Sequence, residues 1–212
     1  MGRCPITYFN LKKDYPVTMD SELNDVDTAF DVKMIFIGND KSPSQRIVDL
    51  YLQSIETVFT TAATDDDVKP CEATINGRQT RLSLACSDGK DKYRSLTTTY
   101  FKHTKKVFLT YLLSNVESVT ALQFWLREVQ RYCDPDVSIN ILGFGTIAPE
   151  NNATLNKAKA FADENRLNHD TLNYENNDLA KAFMKKTVED AVPPEQPEND
   201  GDKKHGGCCA IL

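Results

Sequence analysis

The residues best placed to do chemistry stand at the end of the chain, Cys208-Cys209-Ala210-Ile211-Leu212. A cysteine followed by two aliphatic residues and a terminal leucine is the pattern on which sulfur receives a prenyl group, with Leu favouring geranylgeranyl. Cys208 offers a second thiol. One lipid chain holds a protein only marginally, and two signals are needed for stable attachment. A basic patch could be the second signal, but Lys203 and Lys204 stand beside Glu195, Glu198, Asp200 and Asp202. Both cysteines are therefore expected to carry lipid. The start, Met1-Gly2, has Ile6 where the myristoylation pattern requires Ser or Thr. His103, His169 and His205 are scattered without metal-ligand spacing, which gives no metal site; His103 and His169 read as surface or loop residues.

Composition bounds the rest. The 212 residues are 40% hydrophobic and 26% charged, enough for one domain with a sizeable core. The net charge of −6 argues against a nucleic-acid partner. The first 20 residues are polar and mixed, unlike a secretory signal, so the six cysteines read as free thiols in a reducing, cytoplasmic setting. No apolar run reaches the length of a membrane span. Attachment to the cytosolic face of a membrane would come from the tail alone.

The elements that must position any site follow from periodicity. Residues 32–38 and 107–113 are apolar runs with the form of buried strands, and 139–143 and 166–172 are further strand candidates. Segments 68–75 and 80–85 flank Asn76-Gly77, a strong hairpin signal. Helical spacing covers Ile47 to Ile55, residues 116–133 with Val119, Leu122, Phe124, Leu126 and Val129, residues 156–164, and 179–192 up to Pro193-Pro194. Trp125 reads as a core residue of the second of these helices. This order predicts a three-layer α/β domain with a six-stranded, mostly parallel sheet and one antiparallel hairpin. The expected divisions are an N-terminal extension (1–29), the folded domain (30–192), a flexible tail rich in Pro, Gly, Glu and Asp (193–207) and the lipid acceptor (208–212).

That order resembles the Ras superfamily of small GTPases, its Rab branch most closely. Gly38 ends a strand where the family begins its phosphate loop. Asn76-Gly77 matches the family's hairpin, and Tyr93-Arg94-Ser95-Leu96-Thr97-Thr98-Thr99-Tyr100-Phe101 resembles the Rab stretch after the second switch. Tyr111, Glu117-Ser118, Trp125-Leu126 and Phe161-Ala162 fall at the spacing of further Rab motifs. The resemblance covers about residues 30–192 and the tail, and it implies a phosphate-loop nucleotide-binding fold.

The nucleotide motifs of that family are degenerate in this chain. The phosphate loop G-x-x-x-x-G-K-[ST] aligns with Gly38-Asn39-Asp40-Lys41-Ser42-Pro43-Ser44-Gln45. Pro43 replaces the second Gly, Ser44 the Lys and Gln45 the Mg²⁺-binding hydroxyl. Counting from Gln45 keeps Ile47, Val48 and Tyr51 at the family's apolar positions; counting from Ser42 would bury polar groups. Pro43 suits a first helical position and removes an N–H that a phosphate would use. The first-switch Thr aligns with Ala63, Thr64 being one place off. In the second switch Cys86 replaces the metal-associated Asp, Asp88 adds negative charge, Gly89 is kept, and Lys90 replaces the water-orienting Gln. The guanine-reading N-K-x-D aligns with Phe144-Gly145-Thr146-Ile147, and S-A-K with Leu172-Asn173-Tyr174. Each lost site normally supplies about 1–3 kcal/mol of hydrogen bonding to charged groups.

The resemblance therefore implies a lipid-anchored trafficking or adaptor protein with no cofactor, acting through protein contacts. Its effector face is expected at residues 63–70 and 89–100, with Ala63, Thr64, Val68, Tyr93 and Tyr100; Phe124 and Trp125 are lesser candidates. Its expected partners are a membrane reached through geranylgeranyl groups, a prenyltransferase with an escort, a lipid-shielding chaperone, and an effector of unknown identity. One alternative is a divergent GTPase that keeps weak GTP or GDP binding, with Mg²⁺, through Gly38, Lys41 and Lys90. Another is an interaction domain whose tail stays unmodified.

Overall fold

The computed structural model describes residues 29–59, 68–88 and 100–194. Its centre is β1 (Phe30–Gly38). Along β1, Val32, Met34 and Phe36 are buried on one face and Ile35 and Ile37 on the other, so the strand needs apolar cover on both sides. The cover on the first face is α1 (Ser42–Leu52) and α5 (Asn177–Ala191), which meet the sheet through Ile47, Val48, Ala180, Met184 and Val188. The other face carries α2 (Val116–Thr120), α3 (Leu122–Tyr132) and α4 (Asn152–Asn165), packed through Val119, Leu122, Leu126, Val129, Leu155 and Ala158. These are the three expected layers.

The remaining strands are β2 (Val58–Phe59), β3 (Val68–Ile75), β4 (Arg78–Ser87), β5 (Lys106–Leu112), β6 (Ser138–Phe144) and β7 (Asn168–Leu172). The sheet runs in the order β2-β3-β4-β1-β5-β6-β7. Strands β4, β1, β5, β6 and β7 are mutually parallel, whereas β3 is antiparallel to β4 and β2 to β3. All six expected strands are present. The seventh, β2, is a two-residue edge pairing, Val58 with Glu72 and Phe59 with Cys71, too short to leave a periodic signal.

Three local readings change. The 116–133 run is two helices with Ala121 between them; Phe124 is exposed. Trp125 is only half-buried, at the edge of the core. His169 is neither loop nor free surface: it lies half-buried in β7, with Nε2 2.9 Å from the hydroxyl of Tyr111. Tyr111 in turn lies across Gly143, where an added Cβ would stand 2.5 Å from the phenol oxygen.

The hairpin acts at long range. Asn76 and Gly77 both take left-handed backbone angles (φ 52 and 79), as a tight two-residue turn requires. The Asn76 amide then donates to the carbonyls of Glu189 at 2.9 Å and Val192 at 2.7 Å, closing the C-terminus of α5.

His169 gives the fold a pH dependence. Burial, and then the nearby Lys159, hold its pKa below the ordinary 6.5, against Asp170 and Asp163. An unfolded chain takes up this proton near pH 6.5 and the folded chain only at lower pH, so stability is lost as pH falls from 6.5 toward the folded value. Urea unfolding across that range should show the decline, and His169→Gln should flatten it.

Candidate functional site

In parallel α/β sheets ligands bind in the crevice outside the carboxyl ends of the strands. Here that crevice holds a cavity of about 290 Å³ between the ends of β1, β5 and β6. Asn39 and Asp40 line it from the loop after β1, Thr110 and Tyr111 from β5, and Phe144 from β6. A Cβ on Gly38 would overlap the hydroxyl and carbonyl oxygens of Thr110, so the loop can leave β1 only from a glycine.

The loop turns directly into α1. The Gln45 amide donates to the Lys41 carbonyl at 2.8 Å, closing the first turn with Lys41 at the N-cap. Ser42 is the first helical residue, so Pro43 is the second rather than the expected first. A helix N-terminus attracts anions through free N–H groups. In α1 one of these is consumed and one is missing: the Ser42 N–H donates to Asp40 Oδ1 at 2.8 Å, and Pro43 has none. The chain's own carboxylate stands at the helix end. Among the described residues lining the cavity, Asp40 is the one charged group. Such a site receives a neutral or cationic group more readily than an anion.

The expected site residues separate in space. Ser44 is buried at 1% exposure, and its hydroxyl has no hydrogen-bond partner among the described residues. Ile47, Val48 and Tyr51 are buried as the register counted from Gln45 requires. Cys86 pairs with Phe36 in register and lies in the α1/α5 core. Phe144 is buried and lines the crevice, whereas Ile147 is 60% exposed. Tyr100, expected on the effector face, is buried with its ring edge-on to Phe101 at 5.4 Å. Val68 is half-buried against the core of the α3 face. Ala63, Thr64, Gly89, Lys90, Tyr93, Cys208 and Cys209 lie outside the described residues.

The loops after β6 and β7 are joined to each other. The Gly145 amide donates to the Leu172 carbonyl at 3.0 Å. Tyr174 meets Phe144 edge to face, with ring centroids 5.7 Å apart and planes at 81°. Arg46 of α1 holds the same loop, donating to the Tyr174 carbonyl at 3.2 Å and to Asn177 Oδ1 at 2.9 Å. Asn176 caps α5, accepting from the amides of Asp178 and Leu179. Sequence reasoning missed these contacts. The Asp40 cap had a signal, a carboxylate two residues before a serine at a helix start. The Phe144–Tyr174 and Arg46 contacts join positions far apart in the chain and had none.

The fold and this crevice define a Ras-type α/β domain. The chain belongs to the Ras family, whose sequence model matches residues 26–191. Its relatives are of the Rab type. It is 25% identical to Ras-related protein RABD2a of Arabidopsis thaliana over 143 residues, 67% of this chain and 63% of the relative. It is 27% identical to Ras-related protein Rab-30 of Homo sapiens over 121 residues, 57% of this chain and 59% of the relative. The chain thus spans less than two thirds of the length of these relatives. Among the described residues no helix is long and apolar enough to cross a membrane.

The aromatic contact should be measurable as a coupling. Phe144→Ala should cost about 3–5 kcal/mol in urea unfolding. Tyr174→Ala should cost less, and the double variant should fall short of the sum by about 0.5–1.5 kcal/mol. Additive losses would show that the two rings do not interact.

Proposed function

We propose that this Rab-like chain is tethered to the cytosolic face of a membrane through Cys208 and Cys209 and works through protein contacts, without the guanine-nucleotide cycle of its family. The observation that carries this reading is the Phe144–Tyr174 contact. Two positions that align with the family's base-reading loops hold each other's rings at 5.7 Å, with Phe144 buried. Ile147, at the position of the carboxylate that would pair with guanine, offers none. At the phosphate end, Asp40 occupies the helix terminus and the buried Ser44 hydroxyl replaces an ammonium. These groups do not fit a nucleotide triphosphate with Mg²⁺.

With no terminal phosphate to order two switch loops, binding has no lever to shift their populations. The chain would then act as a constant adaptor, its activity set by where its lipid places it. Under this reading residues 30–192 are the folded domain, 193–207 the spacer and 208–212 the lipid acceptor. A prenyltransferase with an escort, a lipid-shielding chaperone and an effector are the proposed partners. The folded thiols are poor competitors for modification: burial pushes Cys71 and Cys133 up to about 11, Asp134 adding to the shift at Cys133 against Lys33.

Two measurements test the reading. Protein purified natively, denatured, and assayed by anion exchange for released nucleotide should be empty, and it should ignore labelled GTP in Mg²⁺. Stoichiometric GDP or GTP would overturn the nucleotide-free reading and favour a divergent GTPase. Separately, Cys208→Ser/Cys209→Ser should lower the share of the protein in the membrane pellet. An unchanged distribution would mean that the tail is not the anchor.

A further inference from the structure

The end of the sheet opposite the crevice carries a second concavity, of about 680 Å³. It lies where β1, β4 and β5 begin, on the α3 face. Lys33 and Arg81 line it from β1 and β4, and Lys102, His103 and Lys105 from the turn before β5. The register fixes this grouping: Asp31 pairs with Arg81 and Lys33 with Ser83, so these side chains share one face below Ile35 and Ala85. Four cations face one carboxylate, Asp31, among the described lining residues. The chain as a whole is −6, so this end has the opposite sign from the average.

Arg81 is engaged, reaching Asp31 at 3.9 Å and Glu72 at 3.7 Å. Among the described residues no carboxylate pairs with Lys33, Lys102 or Lys105. The Lys33 ammonium is half-buried; it donates to the Lys102 carbonyl at 3.4 Å and stands 5.7 Å from the centre of the Tyr100 ring. Burial lowers its pKa, the Cys133 thiol acting the other way. A buried ammonium without a counter-charge is costly and is relieved by an anion. Lys102, His103 and Lys105 are exposed, on a turn where His103 takes a left-handed φ of 60.

The position of the groove suggests the source of that anion. Phe30 pairs with Thr80, and Arg78 covers the Phe30 ring, so the groove begins at the same end of the sheet as the Asn76-Gly77 turn. That turn closes the C-terminus of α5, from which the chain runs on toward its cysteines. We propose that the groove binds the multiply phosphorylated headgroup of an inositol lipid, so that this pole of the domain faces the bilayer. Each lysine near an anionic surface adds to membrane affinity, and the groove supplies the basic signal that the acidic tail lacks. The inference deepens the tether reading but does not need the tail's lipid.

The test uses the full chain expressed without prenylation, so its failure would leave the tether reading standing. The protein should sediment with phosphatidylcholine vesicles containing phosphatidylinositol bisphosphate and not with phosphatidylcholine alone. Lys102→Ala/Lys105→Ala should weaken this about tenfold with an unchanged melting temperature, and Lys102→Arg/Lys105→Arg should restore it. Inositol hexakisphosphate should compete with the vesicles for wild-type protein, a readout that requires no variant to fold. Absence of vesicle binding would overturn the proposal, as would equal binding by the alanine variant. Binding of the free inositol phosphate or of polyglutamate with vesicles ignored would assign the groove to a soluble anion or an acidic peptide instead.

Discussion

The burial of β1 on both faces is the constraint on which the rest of the structure depends. A strand flanked by β4 and β5 and covered by helices on each side has no solvent-facing edge. Its residues must be apolar in both registers of the pleat, and its exit must be narrow. Gly38 meets the second demand against Thr110, and every later feature of the crevice follows from where that exit delivers the chain. The same strand carries Phe36, whose ring stacks at 4.8 Å on that of its register partner Phe108 on the α1 face.

At the carboxyl end of that strand the chain's own groups meet. A carboxylate answers the helix end, a proline removes a donor, and two rings meet across the loops after β6 and β7. Each substitution is locally favourable. Asp40 satisfies an otherwise orphan N–H, and the edge-to-face pair adds attraction beyond its area. Under the proposed nucleotide-free reading these groups serve the fold.

The two concavities at the ends of the sheet are lined by opposite charge. Asp40 is the one charged group among the described residues lining the crevice, whereas Lys33, Arg81, Lys102 and Lys105 gather at the other concavity. This polarity is invisible in a net charge of −6. It arises because parallel strands bring all their starting residues to one edge, so modest basic content at several strand starts adds up in space.

Much of the fold was legible from the sequence. The buried strands, the Asn76-Gly77 turn and the helix of Ile47, Val48 and Tyr51 are short-range patterns, and period and turn chemistry report them directly. Residue types at the motif positions were legible for the same reason. The two-residue β2 was not, because it has no period of its own. The burial of Tyr100 was not, because neighbouring elements decide which residues are covered. The Phe144–Tyr174 contact, the Tyr111–His169 pair and the Asn76 clamp on α5 join residues far apart in the chain, and the basic groove gathers three separate segments. The sequence by itself determined the layers and the residue types at the motif positions, since these depend on local periodicity and residue type. Only the tertiary structure decided which groups meet at the crevice and where charge collects, since both depend on which distant segments are brought within a few ångströms.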